Sequence, residues 1–214
     1  MLWLIVALPS GIKKGNGVDD HRNATLKVTT EPTSEPLTLA EFKDALRILS
    51  TDFDAELSRI LTAARRKVEY DCRRAFITQT QKLYLDYWPA GDTIEIRVAP
   101  VSAVASFQYV DHDGSTQTVA SSVYQTDLDH TPPRIVLKES QTWPTDIADE
   151  TTQAITVTLT CGYGAAAAVP AEAKVAIIEA GKGMWKGCED SMSWQSTYQR
   201  LIDCLCWTAY GKVI

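Results

Sequence analysis

Residues 57–87 read LSRILTAARRKVEYDCRRAFITQTQKLYLDY, and the fold class turns on the point where their periodicity changes. Leu57, Ile60, Leu61, Ala64, Val68 and Cys72 recur at the spacing that places them on one face of an α-helix. Arg59, Arg65, Arg66, Lys67, Arg73 and Arg74 fall on the opposite face. From Phe76 the spacing shortens to two: Leu83, Leu85 and Tyr87 alternate with Tyr84 and Asp86, as on a strand with one buried side. A helix hands over directly to a sheet, which predicts an α+β chain.

Upstream, Thr38-Leu39-Ala40-Glu41 is a capping box, with the Thr hydroxyl placed to take the N3 amide while Glu41 reaches back. Leu37 and Phe42 flank it as a hydrophobic staple, and Leu39, Phe42, Leu46 and Leu49 continue one apolar face. The break at Ser50-Thr51-Asp52 predicts Thr51 or Asp52 as the N-cap of the next helix, giving two antiparallel helices over 37–75. Residues 1–36 are expected to form an extended arm, since 9–36 are rich in Gly, Pro, Ser, Thr, Asn and charge. Met1 to Leu8 is apolar, but it lacks a basic leader and falls short of the ~20 residues a membrane helix needs.

Downstream, Ile94, Ile96 and Val98 alternate with Glu95 and Arg97. Further strands are expected at Val104 to Val110, Thr116 to Val119, Tyr124 to Thr126 and Arg134 to Leu137. The clearest has Ile155, Val157 and Leu159 facing inward. Together they predict a small antiparallel sheet or sandwich over 76–164, inserted between the helices. Gly162-Tyr163-Gly164 ends it, and Pro170 suits the first position of a helix with Val175, Ile177, Ile178, Met184 and Trp185 as burial candidates. Gly181 and Gly183 weaken that helix but would let another backbone approach closely. A last helix, Trp194 to Tyr210, completes two C-terminal helices within 165–214.

Composition narrows function by exclusion. The 214 residues carry a net charge of −6, which argues against wholesale coating of nucleic acid. The five cysteines are odd in number and lack framework spacing, so a reducing compartment and burial as small hydrophobes are expected. Cys204 and Cys206 lie two apart on a helix and diverge, so a shared metal is geometrically poor. Asp111-His112-Asp113-Gly114 reads as a hairpin turn rather than a catalytic cluster. No phosphate loop, nucleophile elbow or nucleophile–base pairing is visible. The basic helix face reads either as a solvated face, or as a subunit interface or DNA-facing wall. Trp88 and Trp143, each followed by Pro, read as sheet-edge anchors, whereas Trp194 and Trp207 are open to a partner.

One ordered set of motifs carries a family resemblance. It opens with Leu26-Lys27-Val28, Glu35-Pro36-Leu37-Thr38-Leu39-Ala40-Glu41-Phe42-Lys43 and Leu46. Leu61-x-x-Ala64-Arg65-x-x-Val68-Glu69 follows, and then Cys72 through Thr80. Pro100-Val101, Val104, Tyr109, Asp111-x-Asp113-Gly114, Tyr124 and Trp143-Pro144 come next, then Gly162-Tyr163-Gly164 and Val169-Pro170-Ala171-Glu172. In this order the chain resembles the gp6-like head–tail connector (adaptor) proteins of long-tailed phages and gene transfer agents.

That resemblance implies a structural subunit with no catalytic residue, cofactor or metal. Copies would form a ring under the portal protein, matching its twelvefold symmetry and extending the channel through which DNA passes without sequence reading. The helices would pack the ring, the β-domain would decorate its outside, and the C-terminal segment would dock on the portal. Candidate docking residues are Trp207, Tyr210, Lys212 and Val213. Arg59, Arg65, Arg66, Lys67, Arg73 and Arg74 are candidates for the ring interface or channel wall. A further partner is the next neck or tail-completion protein; no membrane is involved, and the place is the virion neck, assembled in the host cytoplasm. Two other classes make different predictions. A β-rich surface binding module with a helical oligomerisation stalk predicts ligand binding by the sheet domain. An enzyme with dispersed catalytic residues predicts a deep pocket of titratable groups, which the ring reading does not.

Overall fold

The computed structural model describes residues 24–148, 151–186 and 191–206. They form an α+β structure of four helices and two antiparallel sheets. Helix α1 (Leu39–Leu46) starts on the capping box: Thr38 Oγ1 accepts from the Glu41 amide at 3.2 Å, and the Glu41 carboxylate accepts from the Thr38 amide at 2.7 Å. Leu37 and Phe42 both enter the helical core. Helix α2 (Asp54–Cys72) buries Leu57, Leu61, Ala64, Val68 and Cys72. Its N-cap is Phe53, not Thr51 or Asp52, and it has no side-chain cap. The Asp52 carboxylate instead closes a local turn with the Ser50 hydroxyl.

Helices α3 (Ala171–Lys186) and α4 (Ser191–Leu205) complete the helical layer, α2 packing on α3 and α3 on α4. The buried face of α3 is built from Ala173, Ala176, Ile177 and Ala180, while Val175 and Met184 are exposed, contrary to expectation. Alanines at three- and four-residue spacing let two helix axes approach closely, and Val175 and Met184 turn outward. Gly181 faces the same seam: a Cβ there would sit 2.4 Å from the Phe42 ring, so its close neighbour is a side chain. No described helix is long and apolar enough to cross a membrane.

The larger sheet has the order β1-β2-β8-β4-β5, with β1 at Ala24–Thr30, β2 at Gln79–Leu85, β4 at Val101–Val110, β5 at Thr116–Thr118 and β8 at Ile155–Cys161. The smaller has the order β3-β7-β6, with β3 at Thr93–Glu95, β6 at Tyr124–Asp127 and β7 at Arg134–Leu137. Both contribute to one apolar cluster that includes Leu83, Phe107, Ile155, Val157 and Leu159 from the first sheet and Ile94 and Ile135 from the second. Trp88 and Trp143 lie against it as a stacked pair, ring centroids 5.0 Å apart.

Residues 24–30, expected within the arm, form the edge strand β1, paired with β2 from Ala24↔Leu85 to Thr30↔Thr80. The expected strand over 94–98 shortens to β3, though Ile96 and Val98 stay buried. Asp111–Gly114 does turn between β4 and β5, Gly114 at φ +79° and the Asp111 carboxylate taking the Ser115 amide. Residues 75–77 join the two cores, Ala75 packing in the sheet cluster and Phe76 and Ile77 in the helical one. Gly162 fixes that junction: its amide reaches the Pro100 carbonyl, and a Cβ would lie 2.5 Å from the Ile77 carbonyl oxygen.

Candidate functional site

The six basic residues of the helix face do not act as one surface. Arg65 is only 3% exposed. Its Nε meets Glu35 Oε2 at 2.7 Å and its Nη1 meets Glu69 Oε2 at 2.6 Å. The Thr62 hydroxyl holds the other oxygen of Glu35, and the Phe76 amide holds the other oxygen of Glu69. Burial alone would lower the guanidinium pKa, but Glu69 and Glu35 outweigh it and hold it above the ordinary arginine value. For Glu69 burial wins, and its carboxyl titrates above the usual range despite the Phe76 amide and Arg65. Arg65 is therefore an internal tie between α2, the segment before α1 and the α2–β2 junction.

Around it the others diverge. Arg66 is exposed and pairs with Glu31 at 3.0 Å, just past β1. Lys67 bridges Asp71, and the Tyr198 hydroxyl of α4 donates to the same Asp71 oxygen at 2.6 Å. Arg74 is half-buried and donates to the Leu205 carbonyl and the Tyr163 hydroxyl, tying α4 and the Gly-Tyr-Gly turn to the end of α2. Arg59 lies exposed near the start of α2, and Arg73 caps its end in a left-handed conformation. Arg59 and Arg73 make no ion pair among the described residues. Trp207, Tyr210, Lys212 and Val213 lie outside the described residues, as does Trp194 as a side chain.

The last turns of α2, the inner face of β1 and β2, residues 95–98 and part of α4 enclose a groove of about 860 Å³. Leu26, Val28, Leu83 and Val98 supply apolar wall, and Tyr70, 84% exposed, stands at its margin. The ring reading did not anticipate a pocket with titratable groups, and the groove carries several. Most are already committed: Glu31 to Arg66, Glu69 to Arg65, Asp71 to Lys67 and Tyr198, and Arg74 to Tyr163. Some of these ties run within α2 and others between elements, and among the described residues none sets a nucleophile against a base. Burial pushes the thiols of Cys72 and Cys161 up to about 12, so both are packing residues rather than nucleophiles. Among the described residues no three His, Cys, Asp or Glu side chains gather as a metal site requires. Sequence reasoning missed the groove because its walls come from five separate stretches of chain.

No protein-family model matches the chain, and no curated protein matches it in sequence. Solved structures do match. A chain in the neck of the empty gene transfer agent (GTA) particle, computed with C6 symmetry, is 25% identical with a TM-score of 0.72, covering 86% of this chain and 96% of that one. A chain in the neck of the native GTA particle, computed with C12 symmetry, is 24% identical with a TM-score of 0.71 over 86% and 96%. A chain in the virion of the native GTA particle is 24% identical with a TM-score of 0.70 over 86% and 95%. The chain thus shares its fold with neck components of a phage-like particle.

Proposed function

We propose that this protein is a structural subunit of the neck of a tailed phage or phage-like particle, of the gp6-like connector kind. Copies of it form a ring under the portal, twelvefold like the portal itself, and extend the DNA channel toward the next neck or tail-completion protein. The observation that carries this reading is the likeness to a GTA neck chain over 86% of this chain and 96% of that one. Neck structures computed with C6 and C12 symmetry are consistent with a homo-oligomeric ring. Apart from β1, which joins the sheet from within the expected arm, the element order supports a division into a helical hairpin over 37–75, an inserted β-domain over 76–164 laid out as a small sandwich, and C-terminal helices with a docking tail over 165–214. Trp207, Tyr210, Lys212 and Val213 are the proposed portal contacts. The exposed members of the basic set, Arg59, Arg66, Lys67 and Arg73, face a neighbouring subunit or the DNA, whereas Arg65 is an internal strut. Cryo-electron microscopy of the protein mixed with its portal tests the reading. The expected image is a closed symmetric ring on the portal; density for single, unordered copies would sink it.

A further inference from the structure

We propose that adjacent subunits join by seating the α1–α2 turn of one copy in the groove beside the end of α2 in the next. This rests on the ring reading and names the contact that builds the ring.

The turn has the character of a knob. Leu49 is 93% exposed and Phe53 44% exposed, in a connection whose other apolar residue, Ile48, packs on the helical core. An isolated exposed leucine is ordinary, but here an aromatic ring stands four residues away, held edge-on against Trp185 at 5.4 Å. The knob is also acidic: Asp52 lies in the turn, Asp54 and Glu56 in the first turn of α2, and among the described residues only Asp54 of the three has a cationic partner, Lys43.

The groove is complementary in both respects. Val28 at 38% and Tyr70 at 84% exposed offer apolar surface beside Leu26 and Val98. Arg73, Arg74 and Arg97 also line it without an ion pair among the described residues. Since Arg74 is committed to the Leu205 carbonyl and the Tyr163 hydroxyl, Arg73 and Arg97 are left for a partner. A knob with an apolar tip and acids outside ion pairs therefore meets a mixed groove that offers both apolar wall and two arginines outside ion pairs.

Position supplies the remaining argument. Leu49 and Phe53 stand just before the first residue of α2 and the groove flanks its last turns, so the helix holds them about 18–28 Å apart. Two different, mutually complementary patches at opposite ends of a rigid element make a heterologous contact. Repeated around one axis it propagates until a ring closes, whereas a two-fold pairing would seat each copy's knob in the other's groove and stop at a dimer.

The full-length chain carrying photo-reactive benzoylphenylalanine in place of Leu49 tests the contact, with isotopically heavy and light copies mixed so that contacts between copies are recognised by mass. Native mass spectrometry and electron microscopy read ring formation in the same samples, in concentrated solution and in assembled necks. The expected products are heavy–light crosslinks from position 49 to residues 26–28, 70 or 97–98. Rings whose crosslinks fall elsewhere overturn the contact and leave the ring reading standing; absence of any ring in solution and in necks overturns both. A second arm reverses the charges. Asp52→Arg with Glu56→Arg is expected to weaken self-association about 10-fold, and adding Arg73→Glu with Arg97→Glu to restore it to within about 3-fold. A doubly reversed protein that assembles no better than the first overturns the charge pairing.

Discussion

Arg65 shows how a residue's role can invert between sequence and structure. On the helical wheel it belongs with Arg66 and Lys67, yet it alone is enclosed, with Glu35 and Glu69 on its guanidinium. Removing one partner from a buried pair leaves the other charges uncompensated, which costs far more than the pair itself is worth. Arg65→Ala is therefore expected to destabilise the fold by about 3–5 kcal/mol, whereas the exposed Arg59→Ala should stay within about 0.5 kcal/mol. Urea denaturation midpoints at constant m-value check both. Equal effects would mean that Arg65 is as free as its neighbour. The distinction was not legible in the sequence, because Glu35 stands 30 positions upstream of Arg65. Glu69, at i+4, was legible as a helical neighbour but not as a buried one. By contrast, the conformational demands of Gly114 and of the Gly162-Tyr163-Gly164 turn could be read locally, since a glycine's freedom is a local property.

Elements were legible where a local rule fixed them. The capping box at Thr38 and the alternation through Ile155, Val157 and Leu159 are short-range signals, and both stand in the structure. Strand β1 was hidden because, at the sheet edge, most of its residues remain exposed and give no clear alternation. The buried face of α3 was read correctly at Ile177 but not at Val175 and Met184, because alanines make most of the seam. The cap itself is testable through pH. The Thr38 amide and then its hydroxyl hold the Glu41 carboxyl below its ordinary 4.5. A carboxyl depressed on folding stabilises above its unfolded value, and that contribution fades as pH falls through the lower folded value. Amide exchange at residues 39–42 should therefore accelerate, relative to the rest of the helical layer, as pH drops below about 4.5. Glu41→Gln should flatten that pH dependence, and Thr38→Ala should cost about 1 kcal/mol at neutral pH. A pH response unchanged in the Gln variant would show that another group is titrating.

At the scale of the whole molecule, the α+β class followed from one change of period near Phe76, whereas the groove needed residues 24–31, 66–74, 79–83, 95–98 and 199–202 brought together. Only the assembled tertiary structure places those stretches side by side, and the proposed neck role rests on an ordered set of motifs and a shared fold rather than on any single motif. The same assembled view shows where the proposed portal contact can be separated from the fold. Helix α4 is fastened up to its last turn: the Leu205 carbonyl takes the Arg74 guanidinium, and Cys206 Sγ donates to the Asp71 carbonyl. Tyr198, Ile202 and Leu205 are core residues. Every one of these ties lies before position 207. Deleting residues 207–214 should accordingly leave Tm within about 2 °C, because it removes none of the described core contacts and changes stability by only a few tenths of a kcal/mol. Deletion from 202 onward should instead melt α4 off the bundle, since Ile202, Leu205 and the Arg74 tie go together. Co-sedimentation with the portal then separates docking from folding. The shorter deletion is expected to keep its melting curve and lose the portal, with Trp207 and Tyr210 among the residues removed. A truncated chain that still binds would move the docking surface elsewhere, and one that unfolds would make the tail part of the core.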